Sequence, residues 1–257
     1  MSAESARFVW YDLMTTNLEQ ARSFYTDVIG WKTRQWSDGK YEMWLAGENP
    51  VGGIGELPDE AKKAGALPHW LGFASTRDVD ATVKKAQGLD AQVLVPGTDI
   101  PDVGRFAVLA DPQGAVFAVF ASKETGEMGQ SQAAGNFSWA ELNTTDWKAA
   151  WKFYSDLFGW KPTRSMDMGS EFGEYFMFGT DTEKSMGGMS NAASVMKAHP
   201  HWLHYINVKD IDGTVKKIEQ KGGKVLNGPM EVPGGDRIAG CMDPQGAAFA
   251  IVEVKPR

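Results

Sequence analysis

The chain contains itself twice. Trp10–Trp31, WYDLMTTNLEQARSFYTDVIGW, is echoed by Trp139–Trp160, WAELNTTDWKAAWKFYSDLFGW, with every anchor displaced by 129 positions. Trp10 pairs with Trp139, Leu13 with Leu142, Thr15-Thr16 with Thr144-Thr145, Phe24-Tyr25 with Phe153-Tyr154, and Gly30-Trp31 with Gly159-Trp160. Two further blocks repeat at a displacement of 132: His69-Trp70-Leu71 as His201-Trp202-Leu203, and Asp111–Ala115 (DPQGA) as Asp243–Ala247. A long repeat in only two copies implies a duplicated domain and excludes a solenoid. At 257 residues the chain accommodates two domains, each large enough for its own core.

Charge and cysteine content narrow the function classes. A formal charge of −7 argues against nucleic acid or an anionic membrane surface as partner. The single cysteine, Cys241, permits neither an intrachain disulfide nor a cysteine-cluster metal site. Its repeat partner is Leu109, so Cys241 reads as a small buried hydrophobe. MSAESARF lacks the apolar segment of a signal peptide, and no apolar run approaches the ~18 residues of a membrane span, so a cytoplasmic location is expected.

Within a half, the same order of elements occurs twice. Phe8–Leu13 is rich in aromatic and β-branched residues and reads as a strand. Asn17 then caps a helix, with Gln20 three residues on, burying Leu18, Ala21, Phe24 or Tyr25, and Val28 before Gly30 stops it. Strands are expected from Trp31 onward, over Lys40–Leu45 after a Ser37-Asp38-Gly39 turn, and around Val51–Ile54. The second unit follows as strand Leu71–Ser75, helix Val79–Gln87 and strand Gln92–Val95. A loop holding Pro96, Gly97 and Pro101 leads to strands Arg105–Leu109 and Ala115–Phe120. Each half is thus two βαβββ units. Domain one is expected over 8–121 and domain two over 136–255, joined by a polar, glycine-bearing linker, 122–135.

Paired βαβββ units carrying D/N-L-x-x-A-x-x-FY-x-x-x-x-GW resemble the vicinal oxygen chelate superfamily, the glyoxalase/bleomycin-resistance/dioxygenase group. The matching residues are Asn17-Leu18, Ala21, Phe24-Tyr25 and Gly30-Trp31, then Asp146, Ala150, Phe153-Tyr154 and Gly159-Trp160. Trp147 stands where the pattern has leucine. The D-P-x-G-x-x-F ending matches at Asp111, Pro112, Gly114 and Phe117, and again at Asp243, Pro244, Gly246 and Phe249. The resemblance implies an α+β fold of two tandem domains and clefts that often hold a divalent metal on His and Glu. It is specific for fold and leaves the reaction open.

By the same resemblance, the metal ligands fall on residues that cannot serve. The His positions are Trp10 and Leu71 in the first half, Trp139 and Leu203 in the second. The Glu positions fall at Ala118 and Ala250, and near Gly53 and Gly188. Strand alternation leaves another route, because Asp12 and His69, and likewise Glu141 and His201, lie two residues from those positions and share their faces. These four are the candidate acid–base or displaced metal-binding residues. The competing reading has His69 and His201 beginning a strand at the cleft rim and holding Trp70 and Trp202 in place. A compact site of His199, His201 and His204 is not expected, since His199 falls in a loop and His204 has the opposite parity to His201.

Tryptophan is abundant, at ten residues, and Trp10, Trp70, Trp139 and Trp202 are expected to line the clefts, favouring a flat or apolar ligand. Arg105 and Arg237 recur before the penultimate strand of each half and are candidates for an anionic ligand group; a salt bridge to the Asp-Pro-Gln-Gly turn is the alternative. Trp147 and Trp151, four apart on one helix, read as packing between the halves or against the linker, or as a homodimer contact. The glycines at 52–55 and 234–235 fit no phosphate-loop spacing.

The sequence therefore predicts a protein that binds a small organic molecule in aromatic-lined clefts, without the superfamily metal or another cofactor. The alternatives are a metal-dependent lyase or dioxygenase using Asp12/His69 or Glu141/His201, and a pseudo-enzyme whose clefts are filled by its own tryptophans.

Overall fold

The computed structural model describes residues 6–36, 41–123 and 131–255. The first five residues, the Ser37–Gly39 turn with Lys40, and most of the expected linker lie outside them. The first half runs β1 (Phe8–Thr15), α1 (Leu18–Ile29), β2 (Lys32–Trp36), β3 (Tyr41–Ala46), β4 (Asn49–Glu56), a short α2 (Asp59–Lys63), β5 (His69–Ser75), α3 (Val79–Gln87), β6 (Gln92–Ile100), β7 (Gly104–Ala110) and β8 (Val116–Ser122). The second runs β9 (Phe137–Asn143), α4 (Trp147–Phe158), β10 (Lys161–Asp167), α5 (Gly169–Phe172), β11 (Glu174–Gly179), β12 (Gly187–Ser190), α6 (Ala192–Met196), β13 (His201–Asn207), α7 (Ile211–Gln220), β14 (Lys224–Glu231), β15 (Arg237–Met242) and β16 (Ala248–Glu253).

Each half forms one eight-stranded mixed sheet, ordered β2-β3-β4-β1-β5-β8-β7-β6 and β10-β11-β12-β9-β13-β16-β15-β14. Within each βαβββ unit the helix carries the chain from the first strand over the sheet. The last strand then returns parallel to the first, as β4 does beside β1 and β8 beside β5. The pairs β2–β3, β3–β4, β6–β7 and β7–β8 are antiparallel hairpins.

Helix ends follow the local chemistry. The Asn17 side chain accepts from the Gln20 N–H at 3.0 Å, and Gly30 closes α1 in the left-handed region at φ 84°. Asp146 and Gly159, at φ 73°, do the same for α4. Ala21, Phe24, Tyr25 and Val28 form the buried stripe of α1, so both members of the Phe-Tyr pair are core and Leu18 is only half-buried. β6 corrects the loop expected at Pro96–Pro101: the strand continues to Ile100 through irregularities between Val93 and Val95 and between Val95 and Thr98. Its position at the sheet edge is where a proline is tolerated, because one side of an edge strand has no ladder to break.

The compact units do not coincide with the repeat. One comprises Met1–Val9, Gly72–Gly129 and Trp139–Trp202; the other comprises Trp10–Leu71, Gln130–Ser138 and Leu203–Arg257. Each unit is built from parts of both halves, and we refer to them as unit one and unit two. In unit two, the Trp70 indole N–H donates to the Tyr25 hydroxyl (2.9 Å), which donates to Asp243 (3.2 Å) in the Asp-Pro-Gln-Gly turn of the other half. Unit one repeats the chain as Trp202 to Tyr154 (3.0 Å) to Asp111 (3.0 Å). Trp31 donates to the Gly135 carbonyl (2.8 Å), and its counterpart Trp160 to the Ala6 carbonyl (2.7 Å). The FY, GW, HW and DPQG blocks thus recur because they fasten one half to the other.

Candidate functional site

On β1, Trp10 and Asp12 share a face, and the hydroxyl of Tyr41 on β3 meets both. The single indole N–H of Trp10 is shared between Asp12 Oδ1 (2.8 Å) and the Tyr41 oxygen (2.9 Å), while Tyr41 donates to Asp12 Oδ1 (2.5 Å). Asp12 is buried, with 8% of its surface exposed. Burial raises its pKa from 3.8 to about 6, even though the bonds from Tyr41, Trp10 and the Gly53 backbone favour the charged form. The Tyr41 hydroxyl is pushed well up by burial and by the neighbouring carboxylate.

Unit one repeats the cluster. Trp139 donates to the Tyr175 hydroxyl (2.9 Å), which donates to Glu141 Oε2 (3.0 Å). Tyr41 and Tyr175 are members of these clusters that the sequence did not single out. The available signal was their recurrence at a displacement of 134, together with glycines at 53 and 188. Those glycines are required by the tyrosines: a Cβ on Gly53 would fall on the Tyr41 hydroxyl and ring, and one on Gly188 on the ring of Tyr175.

The histidines lie at the strand starts. His69 Nδ1–H donates to the Leu67 carbonyl and His201 Nδ1–H to the His199 carbonyl, both at 2.8 Å. Among the described residues, neither His69 and Asp12 nor His201 and Glu141 form a hydrogen-bonded pair. Burial lowers the pKa of His69. His204 is buried against Tyr11, with ring centroids 4.9 Å apart.

Several expected lining residues lie elsewhere. Trp70 and Trp202 reach the helix side of their sheets, bonded to Tyr25 and Tyr154, and do not join the Trp–Tyr–acid clusters. The physical reason is the two-residue alternation that puts His69 and Leu71 on the opposite face. Arg105 pairs with Asp80 and Asp99 (2.9 Å each), and Arg237 is bidentate to Asp212 (2.8 and 2.9 Å). Their partners include the first-turn acids of α3 and α7, and the Asp-Pro-Gln-Gly turn is not among them. Trp147 stacks on Phe176 of β11 (4.8 Å, 17°), with Trp151 4.8 Å from the same ring, so this stripe packs against a strand of its own half.

A superfamily metal would need donors these positions do not offer. Trp10, Gly53, Leu71 and Ala118 have no side chain able to ligate, nor do Trp139, Gly188, Leu203 and Ala250. Tyr41 and Tyr175 stand where a side chain from Gly53 or Gly188 would project. Among the described residues, no group of three or more His, Cys, Asp or Glu converges as a metal site. The residues present therefore do not fit the metal. Cys241 is fully buried, and its thiol is pushed up to about 12 by burial.

Among the described residues no helix is long and apolar enough to cross a membrane. The model of the Glyoxalase/Bleomycin resistance protein/Dioxygenase superfamily matches residues 7–119 and 136–251. CFP32 of Mycobacterium tuberculosis, which carries a provisional glyoxylase name, is 30% identical over 253 residues, covering 96% of this chain and 95% of its own. The anthracycline biosynthesis protein DnrV of Streptomyces peucetius is 28% identical over 259 residues, covering 96% and 92%. Among solved structures, the 2,3-dioxygenase LapB from Pseudomonas sp. KL28 superposes with a TM-score of 0.67 at 12% identity, covering 99% of this chain and 94% of its own. That level of identity speaks to the fold alone.

Proposed function

Because this chain belongs to the glyoxalase/bleomycin resistance protein/dioxygenase superfamily, we propose that it binds a flat, largely apolar organic molecule against its Trp–Tyr–acid clusters, without a metal ion. The observation that carries the reading is the Tyr41 hydroxyl. It spans Trp10 and Asp12 and sits over Gly53, so the place of a ligating carboxylate is taken by a hydrogen-bonded phenol. Tyr175 does the same over Gly188. Half-buried Trp10 and Trp139 keep ring surface available to a partner, and an indole face favours planar aromatics. The anthracycline-biosynthesis relative supports that ligand class, since anthracyclines are fused aromatic polycycles.

Sequestration or sensing of such a molecule follows more directly from this chemistry than turnover does. Asp12 is already engaged by Trp10, Tyr41 and the Gly53 backbone, and His69 is held by the Leu67 carbonyl. The test is tryptophan quenching by a planar anthraquinone, beside equilibrium dialysis against Mn²⁺, Fe²⁺, Ni²⁺ and Zn²⁺. Saturable quenching that is lost in W10F/W139F, with no bound metal, is expected. One tightly held metal per half overturns the metal-free reading. Absence of any quenching leaves the clefts filled by their own tryptophans.

A further inference from the structure

We propose that unit two carries a second small-molecule site, where the C-terminal end of α1 meets α7, suited to an organic anion with a compact apolar body. A cavity of about 390 Å³ opens there, walled by Val28, Ile29, Trp31 and Ala46 and edged by Lys209 and Lys217. That volume is within the ~300–1,000 Å³ of small-molecule pockets, and the walls do not include Trp10, Asp12 or Tyr41.

The internal repeat supplies the control. Val28 corresponds to Leu157, Ile29 to Phe158, Ala46 to Thr180 and Gly213, also on the lining, to Ala81. At all four positions unit two has the smaller residue. In unit one the equivalent place is crossed by the chain's own side chains: Arg7 Nη2 donates to Thr180 Oγ1 (2.8 Å) and Lys85 Nζ to the Leu157 carbonyl (3.1 Å). Arg7 corresponds to the shorter Asn136, whose amide turns back to the Ala133 carbonyl (3.1 Å). Lys85 corresponds to Lys217, whose ammonium has no hydrogen-bond or ion-pair partner among the described residues. Asn207, on the same lining, is larger than its counterpart Ser75, so the truncations are confined to the α1, β3 and α7 positions; duplicated cores are held to close packing, and truncations gathered along one wall in one copy mark space kept open there.

The uncommitted chemistry around that space is basic and apolar. Trp31 spends its N–H on the Gly135 carbonyl and, at 1% exposure, backs the apolar wall from behind. The Asp210 carboxylate accepts the Gly213 N–H (3.0 Å) as the cap of α7, and Asp27 of α1 is paired with Lys221 (2.6 Å). Lys209 and Lys217 are the charges left without a partner among the described residues, so a carboxylate on an apolar ring system meets both requirements.

The probe is 2-naphthoate, with 2-naphthalenemethanol as its neutral control, titrated calorimetrically into the full chain. Saturable binding of naphthoate is expected, at least about tenfold tighter than the alcohol. The V28L/I29F variant, which installs unit one's own residues, should weaken it about tenfold or more, and K217Q by about fivefold. If V28L/I29F does not fold, A46T fills the same space with the Thr180 equivalent. W10F/W139F, which alters the clusters of the proposed function, should remove any binding of naphthoate and alcohol at those clusters and leave in place the carboxylate-selective component that V28L/I29F weakens. The inference is overturned if wild type does not bind naphthoate, if cavity filling leaves affinity within twofold, or if only W10F/W139F removes it; that last outcome would support the Trp–Tyr–acid clusters instead.

Discussion

The hydroxyl of Tyr25 donates to Asp243 across 218 residues of chain, at 3.2 Å, inside unit two. Asp243 uses its other oxygen to accept the N–H groups of Gln245 and Ala247, both at 2.9 Å, which folds the Asp-Pro-Gln-Gly turn. One carboxylate therefore shapes a turn in the second half and receives a helix from the first. Tyr154 and Asp111 repeat the arrangement at 3.0 Å in unit one, with Asp111 accepting from Gln113 and Ala115.

Removing either hydroxyl strands two buried partners, a Trp indole N–H and one carboxylate oxygen. Tyr25→Phe and Tyr154→Phe should each destabilise by about 1–3 kcal/mol, the usual cost of leaving buried polar groups unpaired. Urea denaturation of each variant measures this. A cost below about 0.5 kcal/mol in both would mean that the bonds do not fasten the halves.

Asp12 makes stability depend on pH with a definite sign. Its folded pKa, about 6, lies above the ordinary 3.8 because burial penalises the charge. The folded state thus holds the proton more tightly, and the resulting stabilisation is complete below pH 3.8 and lost as pH rises through 6. A shift of this size corresponds to about 3 kcal/mol. Asp12→Asn keeps an oxygen for Trp10 and Tyr41 but cannot ionise. The variant should gain on wild type at pH 8 by up to that amount and converge with it near pH 4. Asp111 and Asp243 are also raised by burial, but they titrate identically in both proteins and cancel in the comparison. Denaturation midpoints at the two pH values decide it, and an unchanged difference between them counts against the buried acid.

Much of this architecture could be read from the chain because it is written in local rules. Asn17 and Gly30 bracket α1, and helix Val79–Gln87 has the same bounds in sequence and structure. The Trp–Tyr–acid clusters were only half legible. Trp10, Asp12, Trp139 and Glu141 lie on single strands where alternation assigns their faces, but Tyr41 and Tyr175 arrive from another strand through hairpin register. Trp70 and Trp202 were legible in principle, since the parity that groups His69 with Leu71 excludes Trp70 from the same face. What fastens the halves was not, because a duplicated βαβββ pattern is equally compatible with helices that serve their own half or the other.

Arg105 and Arg237 give a prediction of small effect. Both guanidiniums are at the surface and held by carboxylates, and exposed pairs contribute about 0–1 kcal/mol. R105Q and R237Q should change stability within that range and leave quenching by a planar anthraquinone unaltered. A clear loss of quenching would return these arginines to the binding site.

Gly53 and Tyr41 should behave as one change in two places. A methyl at 53 falls on the tyrosine ring, so Gly53→Ala alone forces Tyr41 out of its bonds with Trp10 and Asp12 and should cost more than ~2 kcal/mol. Tyr41→Ala alone leaves a void beside Asp12 and carries its own cost of about 3 kcal/mol. In the double variant the methyl enters space the ring has vacated, so the combined cost should fall short of the sum by about 1–2 kcal/mol, beyond the ~0.5 kcal/mol scatter of independent sites. G188A with Y175A tests the same coupling in unit one, again by urea denaturation. Simple additivity at both positions would mean that the rings do not occupy the glycine positions. Coupling at both would mean that a carboxylate at 53 or 188 and a tyrosine at 41 or 175 exclude each other, so the ligating side chain and the phenol are alternative solutions for the same space.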